Sequence, residues 1–167
     1  MEVLAQYLGD SKFEVAARGH RVICDQPFDN GGSDEGMSPP EFLLASLATC
    51  AAYYAAQYLK ARQLRAEDLK VRVSAEKAAH PARLASFLIE VTAPGLDERH
   101  QAGILRSVKA CLIHNTLLGG PSIEITVNVA AGRTGLVQDE ARYNKLATIK
   151  SGIEPWNETP KVNSRVS

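Results

Sequence analysis

Two cysteines, Cys50 and Cys111, are the residues of this chain best suited to covalent chemistry, because a thiolate is a strong nucleophile. Cys50 lies in a stretch, residues 42–59, that contains no charged side chain, and Cys111 follows 61 positions later in a segment with helical spacing. Apolar burial disfavours the thiolate. The two thiols are therefore either core packing or a redox pair whose ionisation is supported by a charge from elsewhere in the fold.

The other reactive side chains carry weaker signals. Cys24 belongs to no motif and is typical of a strand core. His114 follows Cys111 by three residues and could join the thiols in a zinc site, but the ligand set is incomplete, so we expect no metal. The polar loop at residues 27–36 contains Gly31 and Gly32 but no lysine, so it is not a phosphate loop. We expect a flexible flap there and no cofactor.

Composition restricts the classes of partner. The chain has 167 residues, of which 45% are hydrophobic and 23% charged, which fits one soluble domain. Basic and acidic residues number 19 each, so no net field favours nucleic acid or an anionic membrane. Three cysteines in a chain of this length indicate a reducing compartment. The first residues lack the pattern of a secretory signal, and we expect a cytoplasmic protein.

The uncharged stretch at residues 42–59 is close to the minimum length of a membrane span. Six of its residues are alanine and several others are polar, which weakens the transfer energy. Ser38, Pro39 and Glu41 before it are typical of a helix start, and Lys60 is typical of a helix end. We therefore predict a helix that is buried between other elements of a soluble protein, with no membrane partner.

The remaining pattern predicts an α+β domain with antiparallel sheets, a long buried helix and a second helix. Alternating and periodic segments follow the order βββ-α-ββ-α-β. The predicted strands are residues 2–7, 12–17, 21–25, 69–75, 84–92 and 123–129, and the second helix is residues 97–118. We assign residues 1–131 to this domain. Residues 132–167, which include Trp156, form a C-terminal extension packed on the domain or on a dimer partner.

Two motifs carry a resemblance to a known family. The run from Ser38 to Cys50, SPPEFLLASLATC, resembles the first cysteine motif of the OsmC/Ohr family, the osmotically inducible and organic hydroperoxide resistance proteins. The run from Cys111 to Leu117, CLIHNTL, resembles the second cysteine motif of that family. The order of the elements agrees as well, with a glycine-rich loop before the first motif and a closing strand after the second.

The resemblance implies an OsmC-like fold that forms an intertwined homodimer, with the active sites at the subunit interface. It also implies a thiol-dependent peroxidase that reduces organic hydroperoxides, or hydrogen peroxide. Cys50 would become a sulfenic acid, and Cys111 would resolve it as a disulfide. A dithiol, on a lipoylated protein or a small thiol, would then restore both cysteines. The alternative is a non-peroxidase member of the same fold that binds a small ligand or senses redox state.

The family also implies an arginine that activates the first cysteine and a glutamate that holds this arginine. Arg18 is the nearest match to the arginine, with Arg21 as the second choice, and Glu41 matches the glutamate. Glu41, however, stands nine residues before Cys50, where the best-known members have ten. One residue turns a helical side chain by roughly 100°, so an acid of the preceding loop, Asp34 or Glu35, is the alternative holder.

Overall fold

The computed structural model describes residues 1–129, and the chain folds there into five strands and three α-helices. The elements are β1 (Leu4–Gly9), β2 (Lys12–Ala17), β3 (His20–Cys24), α1 (Pro39–Lys60), β4 (Lys70–Ala79), β5 (Ala82–Thr92), α2 (Glu98–Val108) and α3 (Leu112–Gly119). Both sheets are antiparallel: β1, β2 and β3 form the first, and β4 and β5 the second. The predicted α+β class is confirmed.

The first sheet is a meander whose turns are built from glycine and its neighbours. Arg18 and Gly19 connect β2 to β3, and both have left-handed backbone angles, with φ of 50° and 85°. Large apolar side chains of this sheet remain exposed in the single chain, among them Leu4, Tyr7 and Val22. The extensive contacts of the second sheet with α1 have no equivalent in the first sheet.

Helix α1 begins with a capping box: the Ser38 side chain accepts a hydrogen bond from the Glu41 backbone N–H, and the Glu41 side chain accepts one from the Ser38 backbone N–H. Four residues at four-residue spacing form its buried seam: Leu47, Ala51, Ala55 and Leu59. This seam packs against the second sheet and α2. The sequence predicts a helix surrounded on nearly every side, but in one chain only the seam is fully covered, and Tyr53 is 60% exposed. By length and composition alone, α1 could also cross a membrane.

Helix α2 closes the core from the other side. Ile104 and Val108 join the buried seam of α1 in one apolar cluster. Gly103 lies so close to Tyr58 that a Cβ atom at position 103 would overlap the ring and the hydroxyl. The Ser107 hydroxyl donates a hydrogen bond to the Tyr54 carbonyl, at 2.9 Å. These contacts fix the position of α2 along α1.

The single helix predicted at residues 97–118 is wrong in one respect, because the chain forms two helices there. The helical path ends after Val108, and Cys111 takes an extended conformation with φ of −58° and ψ of 129°. The sulfur of Cys111 accepts a hydrogen bond from the backbone N–H of His114, as the N-cap side chain of α3. A cysteine in this position begins a new helix because its side chain replaces the missing carbonyl acceptor.

The strand predicted at residues 123–129 is also wrong, since residues 121–129 have no regular secondary structure. The side chains of Ile123, Ile125, Val127 and Val129 are each more than 80% exposed. A strand needs a neighbour for its backbone hydrogen bonds, and this segment pairs with no strand of residues 1–129. The first compact unit accordingly ends at Ile123. The proposed boundary at 131 and Trp156 lie outside the described residues.

Candidate redox site

The structure brings Cys50 and Cys111 together. Cys50 lies on α1 one turn beyond Leu47 and is half-buried, whereas Cys111 is fully buried at the start of α3. Helices α1 and α3 are in contact, and the Cys50 thiol is near enough to Cys111 to raise the pKa of the Cys111 thiol. Both are free thiols in this structure. A half-exposed thiol beside a buried one is the arrangement that a two-cysteine redox cycle requires.

The environment of Cys111 keeps its thiol protonated. Burial raises the pKa of the Cys111 thiol, and the hydrogen bond with Cys50 raises it further. Hydrogen bonds from the backbone N–H groups of His114 and Ile113 lower this pKa. The His114 nitrogen lies 3.5 Å from the Cys111 sulfur. Cys111 is therefore a poor nucleophile until a base removes its proton.

Two largely apolar cavities share Ile89 and His114 as lining residues. The first, of about 570 Å³, lies between β5 and α2. The second, of about 740 Å³, lies between β5, the first half of α1 and α3, and Leu47 on its wall is one turn before Cys50. Its other apolar lining residues are Leu43, Leu84, Ala85, Phe87, Leu117 and Leu118. An apolar molecule in this second cavity would contact Leu47, one turn of α1 from Cys50.

His114 is half-buried on the first turn of α3 and lines both cavities. Its ring Nδ1 lies 3.0 Å from Oδ1 of Asn115. A proton on Nδ1 would donate to this oxygen, and Nε2 would then be the ring atom that can accept a hydrogen bond.

The structure does not bring Arg18 to Cys50 within one chain. Arg18 is exposed in the turn between β2 and β3 and borders a shallow surface cavity with Glu2 and Arg21. Arg21 forms an ion pair with Glu14 at 2.6 Å. Neither arginine lines the cavities beside the thiols.

Glu41 forms its hydrogen bonds with a neighbouring residue, Ser38. Its Oε2 accepts hydrogen bonds from the hydroxyl and from the backbone N–H of Ser38, both at 2.7 Å. These two bonds, the hydroxyl first, lower the pKa of the Glu41 carboxyl. Of the loop acids, Glu35 pairs with Lys12 at 2.5 Å, and Asp34 has a left-handed backbone with φ of 55°. The visible role of Glu41 is helix capping.

Asp25 is a residue of structural importance that the sequence reasoning missed. Its side chain is fully buried and accepts hydrogen bonds from the Ser11 hydroxyl at 2.6 Å and from the backbone N–H groups of Gln26, Ser33 and Glu35 at 2.8, 3.0 and 3.2 Å. The bond from Ser11 and then those from the backbone lower the pKa of Asp25 to about 2. An acid before a proline and two glycines is typical of such a loop, and that signal was present.

The loop at residues 26–36 is consequently compact in this structure, and the flexible flap expected at residues 27–36 stays a prediction. A Cβ atom on Gly32 would overlap the Gln26 carbonyl, and one on Gly36 would overlap the Ile23 carbonyl. A parallel bridge between Cys24 and Met37 ties the end of the loop to β3. Asp25 and this bridge therefore hold the loop that connects β3 to α1.

The described residues contain no group of three or more histidine, cysteine, aspartate or glutamate side chains placed to hold a metal ion.

Comparison with known proteins identifies the class. The model of the family described as OsmC-like protein matches residues 32–126, which is more than half of the chain. The chain therefore belongs to the OsmC-like protein family, and this family is linked to redox and stress-response functions. No curated protein matches the chain.

Solved structures agree in fold. A candidate osmotic stress induced and detoxification response protein from Psychrobacter arcticus is 24% identical with a TM-score of 0.63, and the match covers 68% of this chain and 85% of that one. An OsmC-like protein from Mycoplasma pneumoniae is 21% identical with a TM-score of 0.58, over 71% and 86% of the two chains. An organic hydroperoxide resistance protein OsmC from Legionella pneumophila is 18% identical with a TM-score of 0.52, over 71% and 90%. At these identities the likeness concerns the fold.

Proposed function

We propose that this chain is a thiol-dependent peroxidase that reduces organic hydroperoxides. The observation that carries the proposal is the proximity of the half-exposed thiol of Cys50 to the buried thiol of Cys111, on two helices that pack together. The largely apolar cavity that reaches Leu47 supports an organic substrate, because an apolar tail gains free energy there and hydrogen peroxide does not. Membership of the OsmC-like family supports the same chemistry.

In the proposed cycle, the thiolate sulfur of Cys50 attacks the distal oxygen of the hydroperoxide. The O–O bond breaks, the alkoxide takes up a proton and leaves as an alcohol, and Cys50 becomes a sulfenic acid. The sulfur of Cys111 then attacks Cys50, expelling water and forming a disulfide. A dithiol, such as a lipoyl group or a small thiol, reduces the disulfide by exchange. We propose that this cycle operates in the reducing cytoplasm.

A homodimer is part of the proposal. Exposed apolar side chains on α1 and on the first sheet, such as Tyr53 and Val22, would be covered by a second copy. In that assembly Arg18 of a second copy would reach Cys50, favour its thiolate and orient the peroxide. Glu41 would hold this arginine through its second oxygen.

A second function, a thiol-based redox sensor or small-ligand carrier, is favoured by one observation. Within residues 1–129 of a single chain, the predicted activating arginine is not beside Cys50, and Glu41 already bonds to Ser38. Such a protein would form the same disulfide with an oxidant but would not turn over.

The deciding experiment follows consumption of cumene hydroperoxide and of hydrogen peroxide with dihydrolipoamide as reductant. We expect Cys50→Ser to abolish turnover and Cys111→Ser to allow at most one oxidation per site without reductant. Cys24→Ser, at a buried thiol outside the pair, is the matched control and should retain activity. Unchanged activity of Cys50→Ser would refute the peroxidase, and disulfide formation without turnover in the wild type would favour the sensor.

A further inference from the structure

His114 lies where a proton acceptor for the disulfide-forming step is needed. Its backbone N–H donates to the Cys111 sulfur, with the nitrogen 3.5 Å from that atom, and the two residues occupy the N-cap and third positions of α3. In a capping box, the side chain at the third position reaches back towards the N-cap residue. The first turn of α3 thus carries both the Cys111 sulfur and the His114 imidazole.

The ring of His114 also presents the correct atom. In the tautomer whose Nδ1–H donates to Asn115 Oδ1, Nε2 is the ring atom available as a proton acceptor. The charged residues that line the two cavities with His114 are Lys109, at the end of α2, and Arg83, on β5. Both are cations, and no acid of residues 1–129 lines these two cavities.

We propose that His114 is the general base for Cys111 in disulfide formation, an inference that rests on the redox-pair function proposed above. His114 Nε2 takes the proton of the Cys111 thiol as its sulfur attacks the sulfenic sulfur of Cys50. The S–S bond forms, the S–O bond breaks, and the leaving hydroxide receives the proton from His114 as water. The Cys50 sulfenic acid is reduced and the Cys111 thiol is oxidised, so protons and electrons balance without another reactant.

The step can be measured without any peroxide. The reagent 5,5′-dithiobis(2-nitrobenzoate) reacts first with the half-exposed Cys50, releasing one thionitrobenzoate in a phase that depends on reagent concentration. Cys111 then attacks the mixed disulfide and releases a second thionitrobenzoate. The rate of this second phase does not depend on the reagent concentration. Both releases are followed by absorbance in a Cys24→Ser background, and Cys111→Ser should show only the first.

We expect His114→Gln to leave the first phase unchanged and to slow the second at neutral pH by about 100-fold, the lower range of general base catalysis. The difference in second-phase rate between His114→Gln and the parent protein should become smaller as the pH rises, because hydroxide then ionises Cys111 directly. In His114→Ala, added imidazole should restore part of the rate. His20→Gln, the same change at an exposed histidine of β3, is the matched control and should behave as the parent protein.

Two results would overturn the role of His114. One is a second phase in His114→Gln with the parent rate and pH profile. The other is a second phase that is equally slow at every pH and is not rescued by imidazole, which would make His114 a structural support of α3. If the wild-type protein shows a normal second phase but does not consume hydroperoxide, the proposed peroxidase function is refuted. The proposed role of His114 as a general base would then still stand.

Discussion

The buried thiol of Cys111 lies near the half-buried thiol of Cys50, at a point where the chain interrupts its helical path between α2 and α3. The extended backbone at Cys111 starts a new helix, and the sulfur becomes the N-cap of that helix. The sulfur therefore faces α1 with an N–H group already bonded to it. The same break between the helices makes His114 the third residue of α3, so that its imidazole belongs to the first turn of the helix that Cys111 caps.

Arg18 should act on Cys50 only in the assembled protein. In a Cys24→Ser, Cys111→Ser background, we expect Arg18→Ala to slow iodoacetamide alkylation of Cys50 about tenfold at neutral pH, because loss of a nearby cation disfavours the thiolate. The rate profile should move to higher pH. Arg21→Ala, whose partner is Glu14, is the control. Identical profiles for Arg18→Ala and the parent would remove Arg18 from the site.

Two substitutions distinguish the capping role that Glu41 shares with Ser38 from a role of Glu41 in holding Arg18. Ser38→Ala removes the N-cap and should reduce the free energy of unfolding by about 1 kcal/mol, measured by urea denaturation. Glu41→Gln keeps an oxygen acceptor for the Ser38 N–H and should change stability less. If Glu41 holds Arg18, however, Glu41→Gln should slow alkylation of Cys50 as Arg18→Ala does. A normal alkylation rate would leave Glu41 with the capping role alone.

Asp25 should control stability in acid. Its folded-state pKa of about 2 is below that of an unfolded aspartate, roughly 3.9. Its contribution is therefore complete above pH 4 and is lost as the pH falls towards 2. We expect Asp25→Asn to lower the melting temperature at pH 7, on the order of 5 °C, and to flatten the acid limb of the stability profile. Asp29→Asn, an exposed acid of the same loop, should do neither.

Gly103 should be intolerant of any side chain. We expect Gly103→Ala to lower the free energy of unfolding by roughly 1–3 kcal/mol, because the new methyl group overlaps Tyr58 and separates α2 from α1. Gly119→Ala, on α3 with open space around its Cβ, should be neutral or stabilising by up to about 1 kcal/mol. Equal stabilities of the two variants in urea denaturation would contradict the close packing at Gly103.

The elements that depend on local chemistry were predictable from the sequence. Helix α1 starts at Ser38–Pro39 because the cap, the proline and Glu41 are neighbours in the chain. The hairpin of β4 and β5 follows from alternation on either side of the turn at His80–Pro81. The two cysteine motifs likewise identified the family, since each motif is a continuous run of residues.

Only the tertiary structure decided how distant residues meet. The contact of Cys50 with Cys111 depends on α3 packing against α1, and the burial of Asp25 depends on Ser11, a residue of another turn. The apolar segment at residues 123–129 shows the reverse case, because alternation is a local property but a strand exists only where another strand accepts its hydrogen bonds. Sequence determined which groups can react, and packing decided which of them are neighbours.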